Sequence, residues 1–375
     1  MLYDVPEWEL QGHFDPIAAL ERFRIRSVKL ISINGIADGG HIPDDQLPTV
    51  NEISEGKKNA SPSLLRVRDP DSFVAGEIHH HIDTWEKLTA NQANSEEIMS
   101  WVRSEVSIDK YITHFKGRFA GQSYDSEYPV SRIFRNHESC KKFTEFVNRS
   151  IEDRIVTGAV GVIGKVSDSA PPFLVMPFTV EPNKPRLCHD ERYLNCWIKD
   201  MPFSLDSLLD LTRYVEEGHF QTKLDDKSGY DHVFLDPPSR QLVGFQWAGW
   251  WFVNNVLPFG WKTSPYIYHS LGLVATQTLR SSGIPCSQYI DDRHLGQLRR
   301  AISSRDVELC PTTLCPVQDD RVQLALNACY MAIRILTSLG YFLNLSKSVL
   351  VPTQSLIFLG LQCDSQLREI GRAHV

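Results

Sequence analysis

The chain has 375 residues, 42% hydrophobic and 23% charged, enough to bury a sizeable core in two or three subdomains. No run reaches the roughly 18 consecutive apolar residues of a membrane span, and Met1-Leu2-Tyr3-Asp4 lacks the basic-then-apolar pattern of a secretory leader. Eight scattered cysteines fit reduced intracellular thiols better than a disulfide framework, and 39 basic against 46 acidic residues exclude a broadly basic surface.

Residues 1–125 give few firm signals and read as an N-terminal extension or linker, partly flexible. The polar run at 41–63, with Glu55-Gly56-Lys57-Lys58-Asn59, has the composition of a loop. His79-His80-His81 with Asp83 invites a metal-site reading, but adjacent histidines do not share a helix face and no cysteine stands near.

From about residue 130 the pattern becomes regular. Ser139 is placed to cap a helix with the stripe Phe143, Phe146, Val147, Ile151 and Ile155, closing at Gly158. A second helix is expected from Ser204, with Leu205, Leu208, Leu209, Thr212 and Val215 on one face and Gly218 as its stop. Ser264-Pro265 opens a third, running toward Gly283. Asp320 and Gln323 have capping-box spacing for a fourth, with the stripe Val322, Ala325, Cys329, Ile333 and Leu336 and an end at Gly340. Short β-like runs lie at 220–225, 241–252, 287–295 and 356–363. Helices alternating with hairpins predict an α+β domain, helices on one face of an antiparallel sheet. The aromatic-dense 246–252 run reads as core, and Cys310 and Cys315 lack a nearby histidine for zinc.

Two acidic spots resist this bland reading. Strand alternation puts Asp225 with Gln221 and Lys223 on a solvent or substrate face, opposite Phe220, Thr222 and Leu224. In Tyr289-Ile290-Asp291-Asp292, Tyr289 and Asp291 share a face and Ile290 points to the core. Adjacent aspartates at the tip of an apolar hairpin repel each other, which a bound cation relieves. Alone, the pair reads as a polar turn.

The surroundings change that. Tyr289-Ile290-Asp291-Asp292 resembles the Tyr-x-Asp-Asp box of reverse transcriptases and stands among further boxes in that family's order. Upstream, Lys184-Pro185-Arg186 through Asp190, Arg192, Leu194 and Asn195 resembles the fingers pattern K-x-R-x-x-x-D-x-R-x-L-N. Lys223-Leu224-Asp225 with Gly229-Tyr230 resembles the first carboxylate box, and Leu257-Pro258-Phe259-Gly260 through Ser264-Pro265 the L-P-x-G box. Leu339-Gly340-Tyr341 through Lys347-Ser348 resembles the next palm segment, and Phe358-Leu359-Gly360 the primer-grip hairpin. The texture of Asp225-Asp226-Lys227-Ser228-Gly229-Tyr230-Asp231-His232, then Gly244-Phe245-Gln246-Trp247, is similar to DIRS-like retrotransposons.

The resemblance implies a right-hand polymerase with fingers at 126–200 and a palm at 201–365, the thumb missing. It implies RNA-directed DNA synthesis on an RNA or DNA template with a primer, from dNTPs, with two Mg²⁺ ions or Mn²⁺ in their place. Asp225 and Asp291 are then the principal metal ligands, Asp292 assists, and Asp226 lends its carbonyl while its side chain is a solvated charge. Tyr230 becomes the sugar gate, rejecting a ribose 2′-hydroxyl by clash. Lys184 and Arg186 grip the triphosphate, although Thr179 and Val180 stand where some relatives carry further lysines. Phe259, Gly260 and Tyr289 line the nucleotide site, Lys347 protonates the leaving pyrophosphate, and Phe358, Leu359 and Gly360 grip the primer. The last seven residues resemble translated sequencing adapter, so 366–375 is expected to be a tail. Oligomeric state and compartment, cytoplasm or nucleus, stay open. An RNA-directed RNA polymerase and a catalytically weak or inactive nucleic-acid-binding remnant are the competing readings, the first disfavoured by Tyr230 and the fingers pattern.

Overall fold

Start and stop chemistry sets the long helices. In this computed structural model, which describes residues 4–34, 47–53, 65–214, 216–300, 320–367 and 369–372, the N-terminal part holds α1 (Pro16–Asn34), α2 (Val50–Ile53), α3 (Ile82–Thr89) and α4 (Ser95–Ser104). The hairpin β1 (Phe115–Phe119) and β2 (Gln122–Ser126) and the short β3 (Arg132–Ile133) lead to α5 (Thr144–Val156), whose exit is Gly158 at φ +83. Next come β4 (Val160–Lys165), β5 (Leu174–Met176), the hairpin β6 (Phe178–Glu181) and β7 (Arg186–His189), α6 (Arg192–Asn195) and α7 (Leu208–Tyr214). β8 (Gln221–Asp225), α8 (Pro237–Arg240), β9 (Gly244–Trp247) and β10 (Trp250–Asn254) precede α9 (Ser264–Ser281), which has Pro265 in its first turn. β11 (Cys286–Tyr289) and β12 (Asp292–Gly296) form a hairpin. Asp320 then caps α10 (Arg321–Ser338), its carboxylate accepting from the backbone N–H groups of Val322 and Gln323. β13 (Val349–Thr353), β14 (Ser355–Phe358), β15 (Leu361–Asp364) and β16 (Glu369–Arg372) complete the described chain.

The sheet that carries the acidic motifs is antiparallel, in the order β11-β12-β8-β13. Helices α9 and α10 cover one face: Ile267, Leu271, Val274, Cys329 and Leu336 join Leu224, Cys286, Leu295 and Leu350 in one buried cluster. Each such aliphatic side chain contributes about 1.5–3 kcal/mol relative to exposure. On the other face the β14–β15 hairpin closes over the far end, where the Gln221 side chain donates to the Gln354 carbonyl at 3.1 Å. Among the described residues, this leaves the Asp225 end open. A second sheet, β3-β5-β9-β10-β4, packs Phe245, Trp247 and Phe252 against Val147, Ile151 and Ile155 of α5. The aromatic run is therefore core, as the sequence reading expected.

The α+β class holds, and four local expectations change. Ser139 does not cap α5: its Oγ accepts from the Val180 N–H, and residues 138–143 form a separate tight turn before the helix starts at Thr144. The described part of 65–125 is no linker: Trp85, Trp101, Val106 and Ile108 lie in the same buried cluster as Leu224 and Ile267, and Trp85 Nε1 donates to the Leu339 carbonyl at 3.1 Å. These residues sit on short helices and turns, so no long periodicity announced them. The helix expected at Ser204 begins at Leu208, because the capping box is Ser207 with Asp210, each side chain accepting from the other's backbone N–H. Residues 369–372, expected as tail, pair with β15 as a third strand. Glu55 to Asn59, Val215, Cys310 with Cys315, and Ala373 to Val375 lie outside the described residues.

Two of the three adjacent histidines are also absorbed into packing, while His80 is exposed. His79 Nε2 accepts from the Phe234 N–H and its Nδ1 donates to the Val102 carbonyl. His81 and Glu77 close a buried network around Arg68, which donates to the Thr337 carbonyl. Among the described residues no helix is long and apolar enough to cross a membrane.

Candidate active site

Register brings the carboxylates together. Tyr289 pairs with Asp292 and Asp292 with Asp225, so these three side chains form a row across β11, β12 and β8 on the open face. Asp291 sits beside them in the two-residue turn, after Ile290 at φ +56. Positive φ at a β-branched residue is strained, and strain of this kind collects where a functional geometry must be held. Ile290 packs against the main core, which offsets it.

Asp225 is 7% exposed, and its Oδ1 atom is buried with no hydrogen-bond partner. Burial and the charges of Asp292 and Asp291 push its carboxyl up to about 6, against the pull of Lys347 and Lys223. Asp291 is raised too, by burial first and then by Asp226 and Asp292. Lys347 Nζ stands 3.7 Å from Asp225 Oδ1 but is largely exposed, so solvent screens the pair. Asp292 is the most compensated, with its Oδ1 3.1 Å from Lys223 Nζ.

The backbone around Asp225 is pinned. Its N–H donates to Ser348 Oγ, its carbonyl accepts from Asn344, and the Asp226 N–H donates to the Asp291 carbonyl. The last bond ties the two acidic loops directly.

Asp226 corrects the sequence expectation. Its side chain is fully buried, accepting from Arg293 Nη1 at 2.6 Å and from the Tyr268 hydroxyl at 2.6 Å. It is neither a solvated charge nor a side-chain metal ligand, because both oxygens are occupied facing the helices. Alternation explains this: Asp292 faces the cleft, so Arg293 faces α9 and meets Asp226 there. His232 completes the frame, its Nδ1 donating to the Gly229 carbonyl and its Nε2 accepting from the Phe342 N–H. Burial lowers its pKa.

Tyr230 and Phe259 meet at the rim of the same cleft, ring centroids 5.8 Å apart. Phe259 is 58% exposed. Behind it, Gly260 has φ +123, and a Cβ there would lie 2.3 Å from the His189 carbonyl oxygen, so only glycine lets the turn approach β7. The buried pair His189–Glu191, 3.0 Å apart, supports that junction, and Asn254 donates to the other imidazole nitrogen. Burial drives the Glu191 carboxyl up and the His189 imidazole down.

Not every expected residue gathers here. Lys184 lies in the turn of the β6–β7 hairpin and Arg186 at the start of β7, both exposed. Among the described residues no hydrogen bond or ion pair joins either to the three aspartates. Leu359 and Gly360, at φ +51 and +77, form the turn of the β14–β15 hairpin. Phe358 is 1% exposed and packs with Leu211 and Leu356, so its ring anchors the hairpin instead of facing a primer. Arg293, Tyr268 and Ser348 escaped sequence reasoning. The one usable signal was a charge at each helix-facing position next to the acidic motifs.

Among the described residues no three His, Cys, Asp or Glu side chains close into a metal cage. The donors present nonetheless fit a hard divalent cation: a buried carboxylate oxygen that accepts no hydrogen bond among the described residues, and crowded, upward-shifted carboxyls at the sheet end. Mg²⁺ is usually held by one or two carboxylates plus substrate phosphates and water.

The sequence model of a family described as reverse transcriptase (RNA-dependent DNA polymerase) matches residues 181–363. The retrovirus-related Pol polyprotein from transposon 412 of Drosophila melanogaster is 28% identical over 176 residues, 45% of this chain and 13% of that protein. The genome polyprotein of Petunia vein clearing virus (isolate Shepherd) is 29% identical over 109 residues, 29% of this chain and 5% of that protein. The chain thus spans only a small part of the length of these relatives. Among solved structures, the foamy viral protease-reverse transcriptase in complex with RNA/DNA hybrid superposes at TM-score 0.49 and 16% identity, over 78% of this chain and 36% of that one. A second foamy viral structure, the protease-reverse transcriptase dRH in complex with ds DNA, gives 0.47 and 15%, over 78% and 47%. The segment that matches the reverse transcriptase model contains the acidic row, the Tyr230–Phe259 rim and the hairpins beneath them.

Proposed function

We propose that this chain is an RNA-directed DNA polymerase core of a retroelement, adding dNTPs to a primer 3′-hydroxyl along an RNA or DNA template. The carrying observation is the buried Asp225 carboxylate, whose Oδ1 accepts no hydrogen bond among the described residues, beside Asp292 and Asp291 under the Tyr230–Phe259 rim. Asp225 and Asp291 would hold the divalent ions, Mg²⁺ or Mn²⁺, with the Asp226 carbonyl and Asp292 assisting. When bound, such ions activate the primer hydroxyl and neutralise charge on the triphosphate.

The remaining steps belong to the protein. Tyr230 supports the sugar and excludes a 2′-hydroxyl by clash. Phe259 and Gly260 carry the incoming base pair, with Tyr289 completing the open-face row. Lys347, already beside Asp225, donates a proton to the leaving pyrophosphate. Arg186 and Lys184, on a hairpin, reach the triphosphate when the fingers close. The β14–β15 turn at Leu359 and Gly360 meets the primer. Affinity to DIRS-like elements rests on the texture of 225–232 and of Gly244-Phe245-Gln246-Trp247.

Primer extension on poly(rA)/oligo(dT) with Mg²⁺, dTTP against UTP, tests this reading. It predicts synthesis with dTTP only, abolished by Asp291→Asn. Duplex binding without synthesis would instead favour a non-catalytic remnant.

A further inference from the structure

A line of contacts runs from a buried charge to the ring proposed to face the sugar. Arg293 and Asp226 are both fully buried, 2.6 Å apart. The free Asp226 oxygen accepts from the Tyr268 hydroxyl at 2.6 Å. The Tyr268 ring stands edge-on to Tyr230, centroids 5.5 Å apart. A Cβ at Gly229, the residue before Tyr230, would lie 3.3 Å from that ring. On the opposite side Gly272 leaves the space for Arg293, since a Cβ there would come within 2.9 Å of Nη2. Tyr268 is thus wedged between the loop it supports and a carboxylate that holds its hydroxyl.

We propose that Tyr268, anchored by the Asp226–Arg293 pair, is a positioning residue for sugar discrimination: it fixes how far the Tyr230 ring projects and so the room left at the 2′ position. This rests on the gate reading of Tyr230. A gate that works by repulsion is only as stiff as the wall behind it, and a close-packed interior transmits small displacements. The anchor also accounts for a buried ion pair that metal binding does not use. Replacing such a pair by apolar residues is often neutral or stabilising, so a positional role gives it a purpose beyond stability.

The test is the affinity of the chain for dATP and ATP, with Mg²⁺ on a dideoxy-terminated primer–template presenting thymine, so that turnover is not needed. The wild-type chain prefers dATP. Tyr268→Phe and Arg293→Lys narrow that preference roughly five-fold, the effect of losing one hydrogen bond of average net strength, mainly by tightening ATP. Tyr341→Phe serves as the control: its ring lies under Arg293 at 5.4 Å and its hydroxyl makes no hydrogen bond among the described residues, so the preference stays unchanged. If Tyr268→Phe lowers the melting temperature and weakens both nucleotides equally, its role is structural and the inference is wrong. If Tyr230→Val removes the preference while Tyr268→Phe does not, the inference alone falls. If Tyr230→Val leaves the preference intact, or no nucleotide binds at all, the gate reading falls and takes the inference with it.

Discussion

Asp225 carries a conflict between stability and use. Its carboxyl titrates near 6 because burial and two neighbouring aspartates oppose its charge. A folded-state pKa above the unfolded value of about 3.9 means that ionisation destabilises the fold, a penalty absent at low pH and fully present above about 6. Asp225→Asn should therefore melt higher than the wild-type chain at pH 7.5 in EDTA, the gap closing toward pH 4. Melting curves across that range check it, and equal melting temperatures at pH 7.5 would count against the burial argument. Cation binding competes with the same proton, so incorporation should fall as pH drops through about 6 and recover with added Mg²⁺. Arg293 offers the complementary case. Removing one partner of a buried pair leaves an uncompensated charge, and Arg293→Leu should cost about 3–5 kcal/mol in urea unfolding. The double variant Asp226→Leu/Arg293→Leu should recover most of that loss. At this scale the sequence showed the acidic residues but not their division of labour. Asp226 looked like a solvated neighbour of Asp225, and only the strand register reveals that it faces Arg293.

At the scale of elements, turns decide the geometry. Gly260 and Gly340 sit where backbone crowds backbone, 2.3 Å and 2.9 Å from the His189 oxygen and the Ile78 Cα for an added Cβ. Gly260→Ala should displace the Phe259 turn and weaken nucleotide binding about ten-fold or more. Its positive φ adds strain of order 1 kcal/mol. Nucleotide titration beside a melting curve separates the two effects, and unchanged affinity would refute the positioning role of the turn. Long elements were legible because their ends carry explicit chemistry: Ser264-Pro265 for α9, Asp320 for α10, Gly158 after α5. The α7 boundary was misplaced because three serines and aspartates in a row, Ser204, Asp206 and Ser207, all have capping character. Asp206 serves elsewhere, accepting from the Gln288 N–H and pairing with Arg280.

At the scale of the molecule, the N-terminal third supports the acidic sheet. Trp85, Trp101 and Ile108 share a cluster with Leu224, Ile267 and Leu336, joined further by the Arg68–Thr337 and Trp85–Leu339 bonds. Trp85→Ala should cost about 3–5 kcal/mol, as large-to-small changes in a dense core do, and should lower activity by unfolding. Chemical denaturation checks this, and a cost below 1 kcal/mol would restore the linker reading of that segment. Short helices separated by turns hid this packing from periodicity, whereas the ordered motifs from Lys184 to Gly360 made the polymerase domain visible without it. We propose that the open end of the sheet is a divalent-cation centre built on Asp225 and Asp291. Mn²⁺ binding followed by electron paramagnetic resonance, with primer–template and a non-hydrolysable dNTP, tests it most directly. Two ions should bind the wild-type chain and binding should be lost in Asp225→Asn; the same two ions bound in the variant would rule such a centre out.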